Sequence, residues 1–254
     1  MDFTVRKYRE LLKALEGRDV LLRHDVDKRP DRSLVLARLE AELGWKAVYY
    51  FRAVPESWDE DVIREISALG HGIGYHYESL ATCHGNVDAA WEDFKCNLEK
   101  LRRLAPVSSV CMHGSPCSKW DNRDIWKKYD YRSVGIDFEP YLDCDFGKCF
   151  YLTDTGRCWD GARFSVRDRI PRFQDEWTSA GLMYHSTDDI IRAASDGTLP
   201  QRIMINAHPQ RWTDSVTSWM VELFFQKIKN VLKYILNRAT QTSRHTQSLA
   251  PRGR

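Results

Sequence analysis

Two carboxylates separated by a single residue, Asp25 and Asp27, close an apolar run in the segment Val20-Leu21-Leu22-Arg23-His24-Asp25-Val26-Asp27. Alternate side chains of an extended chain share a face, so both acids project together if the strand continues through them. Like charges that close raise one another's pKa unless a cation lies between them. The pair therefore implies either a divalent ion or a base of raised pKa, with a turn or helix cap before Pro30 as the structural alternative. His76 and Glu78 repeat the alternation and could both reach one ion. Imidazole and carboxylate together suit a hard-to-borderline ion such as zinc, with an open position left for water. His208 follows the apolar run Ile205-Asn206-Ala207 and precedes Pro209. An imidazole there can change protonation near neutral pH and serve as a general acid. Asp154, Arg157 and Trp159 fall within six residues. A guanidinium beside an indole suits a sugar ring or an anionic group, and an Asp154–Arg157 loop salt bridge is the alternative. His71 and His84 read as structural, and His185 is unassigned.

These residues need elements to bring them together. Val20–His24 reads as a strand, Pro30–Leu43 as a helix opened by proline and ended by Gly44, and Ala47–Phe51 as a second strand. A helix capped by Ser57, with Glu60 completing a capping box, leads to a strand over His71–Tyr77. Asn86 caps a long helix whose Val87, Ala90, Trp91, Phe94, Leu98 and Leu101 recur at helical spacing. Strand-like runs follow at Val107–Met112, Tyr131–Ile136, Phe150–Leu152 and Arg202–Asn206, with helical patterns near Asn122–Tyr129, Asp188–Ser195 and Asp214–Leu236. Alternation of this kind implies parallel βαβ units and about seven strands, best closed or nearly closed into a barrel. In such folds functional groups gather where strands end at their carboxyl side. Asp25, Asp27, His76, Glu78, His113, Asp154 and His208 all fall at such ends.

The 254 residues, 43% hydrophobic and 29% charged, suffice for one full core, expected over residues 1–236. The mean hydropathy is −0.53, and no apolar run is long enough to span a membrane. The charged start Met1-Asp2-Phe3-Thr4-Val5-Arg6-Lys7 carries no secretion signal, so a cytoplasmic protein is expected. Seven cysteines without a C-x-x-C pair read as reduced structural thiols, not a zinc ribbon or disulfide framework. The formal charge is +2, but the last seven basic residues all follow Glu222, the final acid; residues 1–222 hold 31 basic against 36 acidic side chains. A mildly acidic body argues against nucleic-acid binding. Residues 237–254 are polar and basic and are expected to be disordered. In the helix before them Val221, Phe224, Phe225, Ile228, Val231, Leu232 and Ile235 share one face. That face packs on the barrel, or else residues 219–236 lie on an anionic membrane surface, at the inner face of the membrane for a cytoplasmic chain.

Taken in order, these motifs resemble the polysaccharide deacetylase (NodB homology) superfamily, of carbohydrate esterase family 4 type, and specifically its divergent HDVD branch, from about Val20 to Trp212. The resemblance implies a distorted (β/α)7 barrel, a divalent metal, most often Zn2+, and removal of acetyl groups from N-acetylated sugars. It makes Asp25 the general base and Asp27 a metal ligand. Gly70-His71-Gly72-Ile73-Gly74-Tyr75-His76 reproduces the lead-in to the family's histidine motif, with His76 as first ligand; Leu80 stands at the second, so Glu78 or His113 must substitute. His113-Gly114-Ser115-Pro116 takes the third motif's place, Asp154 and Trp159 the fourth, and His208 the last. The expected assignment is thus Asp25, His208 and Asp154 in catalysis, Asp27, His76 and His113 on the metal, and Glu78, Arg157 and Trp159 on substrate. The implied substrate is an acetylated sugar of a cell-surface polysaccharide or its lipid-linked precursor. A degenerate glycan-binding barrel without metal is the competing reading. The Asp-x-Asp pair also fits a haloacid dehalogenase phosphatase, although Lys28 stands where that family needs Thr or Gly.

Overall fold

The computed structural model describes residues 1–115, 118–159 and 167–230. Six strands form, β1 (Asp19–Val26), β2 (Val48–Phe51), β3 (Gly72–Tyr77), β4 (Ser109–Met112), β5 (Phe150–Thr153) and β6 (Arg202–Ala207). All pair in parallel, in the order β4-β3-β2-β1-β6-β5. Around them run α1 (Val5–Ala14), α2 (Pro30–Glu42), α3 (Glu60–Ala68), α4 (Ser79–Thr82), α5 (Val87–Arg102), α6 (Pro140–Asp143), α7 (Pro171–Ser179) and α8 (Thr187–Ser195). Residues 216–230 form a last helix, α9. The tail expected to be disordered, 237–254, lies outside the described residues.

The sheet is curled, and the contacts of one side chain demonstrate it. Strands three steps apart in a flat sheet stand roughly 14 Å apart. Yet the Arg23 guanidinium on β1 lies 2.8 Å from Cys111 Sγ on the edge strand β4 and 2.9 Å from Tyr151 OH on the opposite edge strand β5. Both edges therefore bend around the face that carries Arg23. Among the described residues no ladder joins β4 to β5, so six strands stand where about seven were expected. The segment expected as a strand at Tyr131–Ile136 is instead a 3-10 turn over Tyr131–Val134. Asp130 caps it by accepting from the Arg132 amide, and Gly135 at φ 72° turns the chain out. Such local side-chain bonding competes with a β ladder. Just beyond it, Phe138 meets the sheet in a single bridge to Ser109.

Two further differences have the same local origin. Asn122–Lys127 forms a 3-10 helix capped by Asp121 in place of the longer helical stretch. Asp59, not Ser57, caps α3, because the Ser57 hydroxyl is drawn to the Val26 carbonyl while accepting from the Arg52 amide. The Asn86 cap of α5 forms as expected.

On the outer face of β1, His24 enters a fully buried polar knot. Its Nε2 lies 2.7 Å from Glu40 Oε1, and Glu40 also accepts from Tyr8 OH (2.6 Å) and Tyr49 OH (2.7 Å). Burial works against the Glu40 carboxylate, but His24 and the two phenols hold its pKa below the ordinary value.

Helix α9 does not pack on the barrel through its apolar stripe, of which Val231, Leu232 and Ile235 lie outside the described residues. Val221, Phe224, Phe225 and Ile228 are exposed, Phe224 at 63%. The side turned to the protein is polar. Trp219 Nε1 donates to Asp2 O, Lys28 pairs with Glu222 at 3.2 Å, and Asn230 Nδ2 donates to Gly156 O at 2.8 Å. No helix among the described residues is long and apolar enough to cross a membrane.

Candidate active site

Strand alternation on β1 directs Arg23 and Asp25 inward while Leu22, His24 and Val26 face the helices. β1 ends at Val26, and the Asp27 amide then bonds back to the Asp25 carbonyl at 3.1 Å. This i to i+2 link turns the chain while keeping both carboxyls on one side. Asp25 Oδ2 lies 3.9 Å, and Asp27 Oδ1 3.7 Å, from the same atom, His76 Nε2.

His76 comes from β3 and His113 from the residue after β4. His76 Nδ1 donates to Cys111 O at 2.9 Å, and His113 Nδ1 donates to Glu78 Oε2 at 2.8 Å. With Nδ1 protonated in both rings, each Nε2 presents a lone pair. Both Nε2 atoms face Asp27 Oδ1 at 3.7 Å, and that oxygen is buried with no hydrogen-bond partner. Ligands about 2.0–2.2 Å from a tetrahedral ion stand about 3.3–3.5 Å apart, close to these separations. Asp27, His76 and His113 therefore fit a divalent cation, with Glu78 in the supporting position that a carboxylate behind a ligating imidazole occupies. Burial opposes ionisation of Asp27, but His208, His113 and His76 hold its carboxyl well below the usual range. Burial pushes His76 down, toward the neutral ring a ligand needs.

Glu78 could share the ion by alternation, but β3 ends at Tyr77, and Glu78 is not in the ligand cluster. Its carboxylate is gripped by Arg52 at 2.7 Å and by His113. Against burial, these two hold its pKa at about 2. Leu80 lies in the core at the start of α4.

Across the mouth, His208 Nε2 is 3.9 Å from Asp27 Oδ2, and His208 Nδ1 is 2.6 Å from Asp154 Oδ1. Asp154, fully buried after β5, also accepts from the His208 amide at 2.9 Å, from Trp212 Nε1 at 2.8 Å and from Arg211. Burial and Arg211 oppose the charged imidazole, but Asp154 and Asp27 outweigh them and raise the His208 pKa. Asp154 touches only groups behind the imidazole, so it positions His208.

Several supporting residues carry no motif signature. Arg23 Nη1 donates to Asp25 Oδ1 at 2.8 Å, and Asn206 Nδ2 donates to Asp25 Oδ2 at 2.8 Å. Gln210 Nε2 donates to Asp27 Oδ2 at 3.1 Å. Asp168 accepts from Tyr141 (2.6 Å), Thr153 (2.7 Å), Thr155 and Tyr151, and lies 3.8 Å from Arg23. The alternation Arg23-x-Asp25 inside an apolar strand was a usable signal for Arg23; Asp168 offered none.

Two expected substrate contacts lie elsewhere. Trp159 is 3% exposed, packed with Phe3 and Trp212, and its indole N–H bonds Thr187 at 2.9 Å. A ring enclosed on its faces is core, not a sugar platform. Arg157 does not bridge to Asp154; its guanidinium lies between the rings of Phe3 (5.1 Å) and Trp219 (5.0 Å). The open space beside the cluster is a cleft of roughly 600 Å³ whose walls include Glu78, His84, His113, Ser115, Lys119 and Trp120.

No family model matches this sequence, and no curated protein is similar to it. Among solved structures the chain is similar to PdaA of Bacillus subtilis, a family 4 carbohydrate esterase, at 10% identity and a TM-score of 0.43, over 87% of this chain and 84% of that one. It is also similar to the carbohydrate esterase domain of a multidomain xylanase from the hindgut metagenome of Trinervitermes trinervoides, at 10% identity and a TM-score of 0.38, over 84% of this chain and 82% of that one.

Proposed function

We propose that the protein is a metal-dependent hydrolase that removes an N-acetyl, or O-acetyl, group from a sugar of a cell-surface polysaccharide or its lipid-linked precursor. The observation that carries this reading is the convergence of two tautomer-fixed Nε2 atoms on the orphaned Asp27 Oδ1, with Asp25 and His208 at its flanks. A zinc-like ion held by Asp27, His76 and His113 would polarise the acyl carbonyl and lower the pKa of water in the site. Asp25, its other lone pairs engaged by Arg23 and Asn206, takes the proton of the attacking water. His208, its pKa raised by Asp154, gives a proton from Nε2 to the departing amine as the C–N bond breaks. The acyl group leaves as a carboxylate, and the cleft beside His113 receives the sugar.

The reversed amphipathicity of α9 supports contact with an anionic membrane surface through residues 219–236. Its apolar side chains face outward, and every charged residue after Glu222 is basic. Co-sedimentation with phosphatidylglycerol vesicles, and none with phosphatidylcholine vesicles, is the expected result.

Metal analysis of the purified protein tests the central claim. About one zinc or similar ion per chain, lost in Asp27→Ala and His76→Ala, is expected together with acetate release from N-acetylated oligosaccharides. A wild type that stays empty when zinc is added overturns it and leaves the glycan-binding barrel in front.

A further inference from the structure

Beneath Asp27, His76 and His113 a second set of donor atoms meets at the same imidazole. Parallel pairing of β3 with β4 sets His76 beside Cys111, and alternation turns both inward, toward the face that carries Asp25. All three side chains are buried, Cys111 completely. A carboxylate oxygen of Asp25, an imidazole nitrogen of His76 and Cys111 Sγ all lie within 4.8 Å of one another, and Asp25 Oδ2 is 3.9 Å from His76 Nε2.

A buried thiol ordinarily packs as a small apolar group. Cys111 instead faces charge, because Arg23 Nη1 lies 2.8 Å from its sulfur and 2.8 Å from Asp25 Oδ1. Arg23 accounts for that oxygen and for one side of the sulfur. It leaves unused a lone pair on the sulfur, one on Asp25 Oδ2 beyond the bond from Asn206, and the lone pair of His76 Nε2, whose tautomer the Cys111 carbonyl itself fixes. Sulfur separates this inner set chemically from the outer one. Two imidazoles and a carboxylate suit zinc, whereas a thiolate in the set favours a softer ion. The 3.9 Å between Nε2 and the Asp25 carboxylate, against 3.7 Å to Asp27, also suits a larger one.

We propose that Asp25, His76 and Cys111 form an inner site for a soft divalent ion such as cadmium, and that the inner and outer sites exclude one another because both need the one lone pair of His76 Nε2. Binding forms a metal–sulfur bond and releases the thiol proton to solvent, with no change of oxidation state. Arg23 keeps its bonds to the two anionic ligands and offsets part of their charge, as a supporting residue behind a metal site does. The site itself does not depend on the hydrolase reading; one consequence does. An ion held there takes His76 from the outer cluster and Asp25 from proton transfer, so soft metals inhibit the enzyme.

The test is titration of the full chain with cadmium, read as thiolate-to-metal charge-transfer absorbance in the ultraviolet, which requires no turnover. His113→Ala, which breaks the outer set alone, should keep the band of about one thiolate-bound ion per chain. Cys111→Ser and Cys111→Ala should lose it, down to what the other cysteines contribute, while retaining the circular dichroism of the wild type. In zinc-loaded protein, cadmium should displace zinc as the band grows. In Cys111→Ser that displacement should need more cadmium by at least the roughly tenfold that loss of a mere supporting partner costs. Equal absorbance in wild type and both folded Cys111 variants overturns the inner site, and so does loss of the band in His113→Ala. A full Cys111-dependent band with zinc still bound overturns the exclusion. A wild type that takes up no zinc yet shows that band supports the inner site while overturning the hydrolase reading.

Discussion

Substituting Glu78→Gln should weaken zinc binding without removing a ligand. In the wild type the carboxylate accepts from His113 Nδ1 at 2.8 Å, fixing the tautomer that leaves Nε2 free to face Asp27. The amide oxygen of glutamine can still accept that bond, so the ring orientation survives while the negative charge that makes the imidazole a better donor is lost. Losses at such supporting positions run to about 10–100-fold in metal affinity, about 1.4–2.7 kcal/mol. At zinc one hundred times the wild-type Kd, the stabilisation from binding is about 2.7 kcal/mol, and a tenfold weaker site retains about 1.4. The assay is urea unfolding with and without zinc, read as the zinc-induced increment, alongside competition with a chromophoric chelator. The increment matters because Glu78→Gln also strands Arg52, bound to the same carboxylate at 2.7 Å, and that penalty is present without metal. In a His113→Ala background the effect of Glu78→Gln on zinc should shrink, since its hydrogen-bonded route to a ligand side chain is through that ring, leaving only the link through Arg52 to the Asp27 carbonyl. An unchanged increment in Glu78→Gln, or an equal loss in both backgrounds, would refute the assignment of His113 as a ligand.

His208→Gln should lower kcat by about 10²–10⁴-fold with little change in KM, the range for a general acid. Asp154 raises the His208 pKa against the opposing effects of burial and Arg211, so the acid form persists above the ordinary imidazole range; Asp154→Asn should move the alkaline limb of the pH–rate profile downward, and an unmoved limb contradicts the pairing. Glu40→Gln should destabilise by about 3–5 kcal/mol in denaturant melts, the cost of breaking a buried charged pair, with zinc affinity unchanged. Because the folded Glu40 pKa is depressed, its contribution is present above the unfolded carboxylate value and fades as pH falls through the folded one, so the gap between wild type and variant should narrow in acid. Trp159→Ala should cost about 3–5 kcal/mol of stability while leaving KM of the folded enzyme unchanged; a selective rise in KM would return Trp159 to the substrate.

The periodicity of the sequence located all six strands because each is a short, mostly apolar run, and all but β2 lead directly into a polar residue at the site. Placement at strand ends also brought Asp25, Asp27, His76, His113, Asp154 and His208 to one rim, as that rule requires. The errors were local. Tyr131–Ile136 has strand-like composition, but Asp130 and Gly135 spend the backbone on a capped turn. Trp159 looked like a sugar platform because composition does not report which face of a ring is covered. The apolar stripe of α9 was left between core and membrane surface, because nothing in a helical pattern says whether the stripe or its polar complement meets the protein. Supporting residues were the hardest to find. Asn206 and Gln210 gain their roles only from the register of β6 beside β1 and from the turn after it, and Asp168 from a loop whose path no pattern encodes.

Arg23 stands two residues before Asp25 on the same strand, so the counter-charge of the proposed base is set by β1 itself. Enzymes whose base is held from a distant loop must keep that loop constant or lose the base. Here that duty falls only on the segments that brace Arg23, which carry Tyr141 and Asp168. Loops of the rim that touch neither Arg23 nor Asp25 could then change in length and chemistry while that ion pair persists as one short stretch of chain.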